Sequence, residues 1–480
     1  MGKGTAVLRE PPHNLEAEQA ILGAMLITND VFYRVSDWLD EEHFYDPGHA
    51  ELFAAIKRLI LNRRRATPIS LKTDVAELDF GELKGPAYLG RLAAAAPPPQ
   101  LAWQDGRVVY DLAQRRRLIE IGEGLIAAAM DAPVETTPDT LVENTETALA
   151  AIAEKGKASD HQVTMLEAAA DAIDTIAAAY QRDGKMAGQS TGLRDLDSLL
   201  GGLAPAQLVI LAARPAMGKT ALATNIAYET ARRFIETKEE DGCPVGFFSC
   251  EMSAREVMFR LIGTEIGIPA DRLRRGAISP EDFNRILQVS EEKLGPTPLY
   301  FDEAGGIKIT QLCARARRMK RRHGIGLLVV DYLQLVSGSQ RRDGRTQEIT
   351  EISSQLKALA KELEIPVLAL SQLSRECERR DDKRPRLPDL RESGSIEQDA
   401  DVVMFLYRDE YYIAQAEPTD KNAASYFEWQ SDMEKAKAKA EILVPKQRQG
   451  PTGSVEVRFD AKLTKFEDLA VQERLTEGVV

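Results

Sequence analysis

Cysteine is scarce in this chain of 480 residues: Cys243, Cys250, Cys313 and Cys377 are the only four, and they share no paired spacing. Neither a zinc site nor a disulfide framework is indicated, and a reducing cytoplasm is the expected setting. His13, His43 and His49 fall into no metal-ligand or nucleophile–base spacing and read as surface or core fillers. Long apolar runs are missing as well. No stretch approaches the roughly 18 residues needed to cross a bilayer, and the first residues lack the apolar centre of a signal peptide, so no membrane partner is expected. Positive charge is in deficit, with 62 Lys and Arg against 75 Asp and Glu and a formal net charge of −13. That balance argues against polyanion binding over the whole surface. The basic residues nevertheless cluster, at Arg63–Arg65, Arg115–Arg117, Arg317–Arg322, Arg341–Arg345 and Arg379–Arg386. A closed ring with a basic lining and an acidic exterior would reconcile the bulk charge with a polyanionic partner.

What is present is enough for two or three packed domains, since 44% of the residues are hydrophobic. Residues 14–130 carry helical periodicity. Ala17, Ala20, Ile21, Ala24 and Met25 share one face after a start at Asn14 or Pro12, and Leu52, Ile56, Leu59 and Ile60 share another. Pro97, Pro98 and Pro99 force a break before a long helix over 103–130. A short helix over 141–153 and a polar run to Ser159 read as a linker, followed by an alanine-rich amphipathic helix, Met165 to Tyr180, that packs on its own domain or docks elsewhere. After Gly192 the period changes. Apolar runs at 208–213, 245–249, 299–301, 327–330, 367–370 and 402–406 alternate with helices, which predicts a mostly parallel sheet with helices on both faces. Runs at 441–444 and 454–459 flank a Gly/Pro-bearing turn and should pair antiparallel. The polar stretch 417–439 reads as a surface helix or loop without catalytic work.

The chemistry gathers where these strands end. Leu208 to Ala213 leads into Ala213, Arg214, Pro215, Ala216, Met217, Gly218, Lys219 and Thr220, a phosphate-binding P-loop in which Ala replaces the first glycine. Successive backbone N–H groups and the following helix N-terminus face phosphate oxygens, Lys219 supplies a point charge, and Thr220 supplies a hydroxyl for Mg²⁺. ATP and Mg²⁺ are therefore the expected cofactors. Asp331 ends an apolar strand in the Walker B manner and would hold the metal. Glu251, after the strand at 245–249, suits a general base that deprotonates an attacking water. Gln372 would sense the γ-phosphate. Lys446 and Arg448 are two cations two positions apart on a hairpin strand. They are read either as an arginine-finger pair reaching a neighbouring subunit or as an edge charge pair that blocks aggregation. Residues 391–401, rich in Gly, Ser and acidic groups, allow a backbone to approach a phosphate chain closely, and Arg341–Arg345 is a second such candidate.

Taken together these stretches resemble the DnaB family of bacterial replicative DNA helicases. The matching stretches are PHNLEAEQ at 12–19, ARPAMGKT at 213–220, EMS at 251–253, VVDYLQL at 329–335, SQLSR at 371–375, RESGSIEQDAD at 391–401 and KQRQGPTG at 446–453. The resemblance implies an all-α N-terminal collar (1–155), a linker with a docking helix (156–189), a RecA-like P-loop ATPase domain of α/β class (190–470) and a tail (471–480). It also implies a homohexamer encircling single-stranded DNA, unwinding 5′ to 3′ with ATP, and partnered by primase and a helicase loader. Glu251 becomes the catalytic base, Arg448 the finger acting in trans with Lys446 beside it, and Arg391, Glu392 and Gly394 the DNA-contacting loop. The helix 165–180 becomes an element swapped onto the next subunit. Cys250, where aliphatic residues are common, and the length of 417–439 depart from the family pattern. A RecA-like recombination or repair ATPase, or a non-motor ATP-gated switch, are the alternatives for the same core.

Overall fold

The computed structural model describes residues 10–131 (apart from 77, 79, 81 and 82), scattered residues between 137 and 186, and residues 188–469 apart from 239–240, 304, 339–343, 391–393 and 420–423. The chain divides into two compact units, Met1–Ala169 and Ala170–Val480. No described helix is long and apolar enough to cross a membrane.

The first unit is helical. Its central helix, Leu15–Ile27, is packed by Pro47–Leu61, Gly85–Ala94 and Ala102–Asp131. Asn14 caps it by accepting the Ala17 N–H at 3.0 Å, and Asp46 caps the next long helix through Gly48 and His49, with Pro47 at the first turn where its missing N–H costs nothing. Ile21, Leu22, Met25, Leu52, Phe53 and Ile56 are fully buried between them. A polar chain crosses this core. Glu18, 1% exposed, accepts the Tyr45 N–H at 2.7 Å and faces His49 Nδ1 at 2.7 Å, while His49 Nε2 meets the Tyr88 hydroxyl at 2.6 Å and Gln19 donates to that hydroxyl at 2.9 Å. The arrangement that satisfies every group has the hydrogen on Nδ1 donated to Glu18 and the Tyr88 hydroxyl donated to Nε2. His49 is thus a structural histidine, tied through Glu18 to the turn before its own helix.

The second unit is a nine-stranded sheet in the order β3-β2-β4-β5-β1-β6-β7-β8-β9. Its strands are β1 (Leu208–Ala213), β2 (Val245–Ser249), β3 (Leu299–Asp302), β4 (Leu327–Asp331), β5 (Val367–Gln372), β6 (Val402–Tyr407), β7 (Lys439–Gln447), β8 (Gly453–Asp460) and β9 (Lys465–Asp468). The pairs from β3 to β6 are parallel, and those from β6 to β9 antiparallel. β1 lies between β5 and β6 with every residue buried, and its side chains alternate into two cores. Val209 and Leu211 join the core beneath helix Lys219–Glu236, whereas Leu208 and Ile210 join the core beneath helices Ile309–His323 and Arg345–Leu363. Helices therefore cover both faces, as the period change predicts.

Several boundaries move. β5 runs on through Gln372 and β7 spans Lys439–Gln447 rather than 441–444, while β2 ends at Ser249 as read, leaving Glu251 in the loop beyond it. β9 has no counterpart in the sequence reading: four residues leave too short an alternation to detect. The 417–439 stretch contains a helix, Ala424–Ala436, anchored where the Trp429 indole N–H donates to the Ile413 carbonyl at 2.7 Å. Of the helix expected over 165–180, Met165, Ile173 and Ile176 are helical and exposed, and Tyr180 lies outside the described residues.

Replacing Glu18 by Ala would strand the His49 and Tyr45 donors in an apolar core. The expected loss is about 3 kcal/mol, read by calorimetry on the full chain, and Glu18→Gln, which keeps an acceptor, should lose less.

Candidate functional site: a phosphate loop at the carboxyl edge of the sheet

β1 ends at Ala213 beside Gln372 of β5 and Leu406 of β6, and the chain turns over the sheet edge into helix Lys219–Glu236. The turn needs two left-handed residues, Ala216 at φ +66° and Gly218 at φ +101°. Met217 anchors it in the core at 1% exposure, while Pro215 and Ala216 face solvent. Gly218 cannot be replaced cheaply: a Cβ there would sit 3.1 Å from the Phe466 ring and 3.5 Å from that of Phe459. Arg214 contributes main chain only, because its side chain is turned away and buried against Glu378 at 2.8 Å and the Leu373 carbonyl at 2.9 Å. What remains over the turn is a cradle of N–H groups at a helix N-terminus.

Lys219 and Asp331 face each other across this cradle, Nζ to Oδ1 4.0 Å, with the ammonium also 4.1 Å from the centre of the Tyr332 ring. Burial pushes the Lys219 pKa down, opposed by the charges of Asp331 and Glu251. Burial pushes the Asp331 carboxyl up, opposed by Lys219 and by the neighbouring Thr220 hydroxyl. Thr220 nevertheless completes no hydrogen bond: both carboxylate oxygens of Asp331 are buried without a partner among the described residues. A fully buried carboxylate with two unused oxygens beside a hydroxyl suits a divalent cation. Among the described residues no group of three His, Cys, Asp or Glu side chains stands ready for a metal, so such a cation would be shared with phosphate oxygens.

Register brings the other groups to the same edge. Ser249 pairs with Asp331, and the Cys250 N–H donates to the Asp331 carbonyl at 2.8 Å, so exposed Glu251 stands just beyond and its charge is felt by Lys219, Asp331 and Tyr332. Gln372 pairs with Ala213, and its N–H donates to Gln334 Oε1 at 3.3 Å, while Gln334 Nε2 donates to Ser371 Oγ at 3.0 Å. Gln334 thereby joins the loop after β4 to the end of β5. Sequence reasoning missed Arg260. It lies on helix Ala254–Ile266, which starts at the Ser253–Glu256 capping box, and burial pushes the pKa of its half-buried guanidinium down, opposed by the charges of Asp331, Glu256 and Glu251. The signal available was its place on the helix directly behind Glu251. Phe466, which closes over Gly218 together with Phe459, could not be found without β9, whereas Phe459 ends the run read at 454–459.

Lys446 and Arg448 stand elsewhere. Gln447 pairs with Val402, which pairs with Val209, so the pair sits at the opposite edge from Ala213, about 13 Å lower along the strands. There the Lys446 ammonium donates to the Glu397 carbonyl and the Arg448 guanidinium to the Gln398 carbonyl. Arg448 also lies 3.8 Å from Asp401. Gly394 opens helix Gly394–Asp399 with open space where a Cβ would point, and Arg391 and Glu392 lie outside the described residues. Of the second basic loop, residues 341–343 are likewise outside, and Arg345 is committed to the Gln334 carbonyl at 2.6 Å and to Glu348.

Comparison with known proteins agrees with this geometry. Residues 10–111 match the model of the DnaB-like helicase N terminal domain and residues 188–468 that of the DnaB-like helicase C terminal domain. The chain is 41% identical over 472 residues to the replicative DNA helicase DnaB of Rickettsia bellii, covering 97% of this chain and 95% of the relative. It is 38% identical to the replicative DNA helicase DnaB of Geobacillus stearothermophilus, covering 96% of each. Among solved structures it is similar to a DnaB-like replicative helicase described with its interactions with primase (TM-score 0.72, 30% identity, 95% of this chain and 100% of that one). It is also similar to a separately solved ATPase domain (TM-score 0.54, 32% identity, 65% of this chain and 100% of that one). The RecA-like core, the phosphate loop and the full-length match converge: the chain belongs to the DnaB family of replicative DNA helicases, which use ATP to open DNA.

Proposed function

We propose that this chain works in the cytoplasm as a homohexameric ring that translocates 5′ to 3′ on single-stranded DNA at a replication fork, is delivered by a loader and recruits primase through its N-terminal unit. The observation that carries the ring is the position of Lys446 and Arg448, on the sheet edge opposite their own phosphate loop. From there they cannot serve their own nucleotide, whereas a neighbouring copy could receive them. The primase assignment is supported by the similar helicase structure, which is described together with its interactions with primase.

In this reading the N–H groups of residues 213–220 cradle the β- and γ-phosphates and Lys219 neutralises them. Thr220 and Asp331 would hold Mg²⁺, which when bound would offset the charge on the phosphate oxygens. Glu251, exposed beyond β2, orients a water toward the γ-phosphate and takes its proton. Gln372 contacts the γ-phosphate and, through Gln334, relays its presence to the loop after β4. Arg448, with Lys446, stabilises the charge that develops in the neighbour's site. Arg391, Glu392 and Gly394 contact the DNA backbone.

A fork with a 5′ single-stranded tail should be unwound, and one with only a 3′ tail should not. DNA-stimulated ATP hydrolysis without strand displacement on either would leave the non-motor switch standing.

Gly218→Ala imposes a strained left-handed φ and a contact with Phe466, so its affinity for an ATP analogue should fall on the order of tenfold. Adding Phe466→Leu should restore only the part due to the contact, as a titration of the double variant will read.

Arg448→Ala should lose on the order of 4 to 7 kcal/mol of transition-state stabilisation with little change in ATP binding. Mixed with Lys219→Ala subunits, it can form an interface with wild-type Lys219 on one side and wild-type Arg448 on the other, and ATPase activity should return in part. Co-assembled mixtures that regain nothing would refute the trans site and restore the edge-charge reading.

A further inference from the structure

In their own chain Lys446 and Arg448 hold the end of a helix. At a helix C-terminus the last carbonyls lack intrahelical donors; in helix Gly394–Asp399 Ile396 O still takes the Ala400 N–H at 3.0 Å, and the next two carbonyls are met from outside the helix. Glu397 O takes the Lys446 ammonium and Gln398 O the Arg448 guanidinium. The side of the same short helix is fastened to helix Arg345–Leu363, by Ser353 Oγ to Asp399 at 2.5 Å and Thr350 Oγ1 to Ser395 Oγ at 2.9 Å. Its first residue, Gly394, is the described member of the DNA-contacting set.

Both cations are poorly matched where they are. Lys446 forms no ion pair with a carboxylate among the described residues, and burial together with the charge of Arg448 pushes its pKa down. Asp401, the carboxylate facing Arg448, receives Lys357 at 2.5 Å and the Leu208 N–H at 2.8 Å on Oδ2, and its Oδ1 stands 3.8 Å from the Arg448 guanidinium, beyond hydrogen-bond distance. Neutral carbonyl oxygens are the principal hydrogen-bond partners left, whereas phosphate oxygens carry charge of their own and can take a guanidinium in bidentate fashion. Arg448 is also half exposed, with 50% of its side chain accessible, so nothing buried must be opened to free it.

We propose that Lys446 and Arg448 are exchangeable caps, held by the Glu397 and Gln398 carbonyls while the neighbouring subunit's nucleotide site is empty and drawn to the γ-phosphate when it fills. ATP in one subunit would thereby loosen the DNA-contacting helix of the next. The inference rests on the trans-site reading above and adds to it a second, alternating job for the same two residues.

Hydrogen–deuterium exchange on the full-length assembly tests this, with and without a non-hydrolysable ATP analogue. On adding the analogue, the amides of residues 398–400, whose bonds include Ala400 N–H to Ile396 O at 3.0 Å, should exchange on the order of tenfold faster in the wild-type ring. Lys446→Met/Arg448→Met should exchange at the fast rate already without nucleotide and not respond to it. Lys219→Ala, with its own sites impaired, should show no rise. A wild-type rate unmoved by bound analogue overturns the exchange of partners while leaving the trans site standing, because the mixing assay reads hydrolysis and this one does not. A double variant that exchanges slowly and still responds to the analogue overturns the capping itself. The wild-type arm decides the matter even where the double variant fails to fold.

Discussion

Strand direction is the constraint on which the rest of this structure depends. Because β1 through β6 all run parallel, every one of them delivers its last residue to the same edge, and Ala213, Ser249, Asp331 and Gln372 arrive there together from distant parts of the chain. The arrangement requires helices on both faces, and hence strands that are apolar on both sides, which is why β1, β2, β4 and β6 are buried along their whole lengths. Polar residues in such strands are tolerated only at the ends, so the groups that can do chemistry are concentrated where the helix N-terminus also points.

The cost of that concentration is visible at Asp331. A carboxylate at 0% exposure, with neither oxygen hydrogen-bonded among the described residues and a lysine 4.0 Å away, is poorly compensated. The same holds for the half-buried Lys219 and Arg260. In the proposed function a nucleoside triphosphate with its cation would supply charges of both signs to these groups. On the far edge, Lys446 and Arg448 show the same incompleteness against neutral carbonyls. In the proposed ring the two half-sites complete one another.

Much of the fold was legible because its signals are local. The parallel strands are short apolar runs bounded by turns, and the helices keep their period, so element type and order follow from spacing alone. Asn14 marks a helix start by a side chain three residues from the N–H it serves. The phosphate loop was legible for the same reason, since eight consecutive residues form it. Glu251 and Asp331 were legible as polar residues following apolar strands. What was not legible depends on contacts between distant positions. Arg260 looks like any surface arginine of an amphipathic helix until its guanidinium is seen to lie within reach of the Asp331 charge at the end of β4, and β9 is too short to show a period. Arg214 sits within the loop motif, yet its side chain serves Glu378, 164 positions away.

The sequence by itself determined the class of fold, the phosphate loop and the carboxylates that accompany it, because periodicity and motif spacing are properties of neighbouring residues. Only the tertiary structure decided which edge each group occupies. It put Lys446 and Arg448 opposite their own loop, closed Phe466 over Gly218 and gave the two cations the carbonyls of helix Gly394–Asp399 as partners. The physical reason is that those outcomes follow from the antiparallel return of β7 against β6, a pairing register that is set by packing along the whole strand and is written in no single stretch of residues.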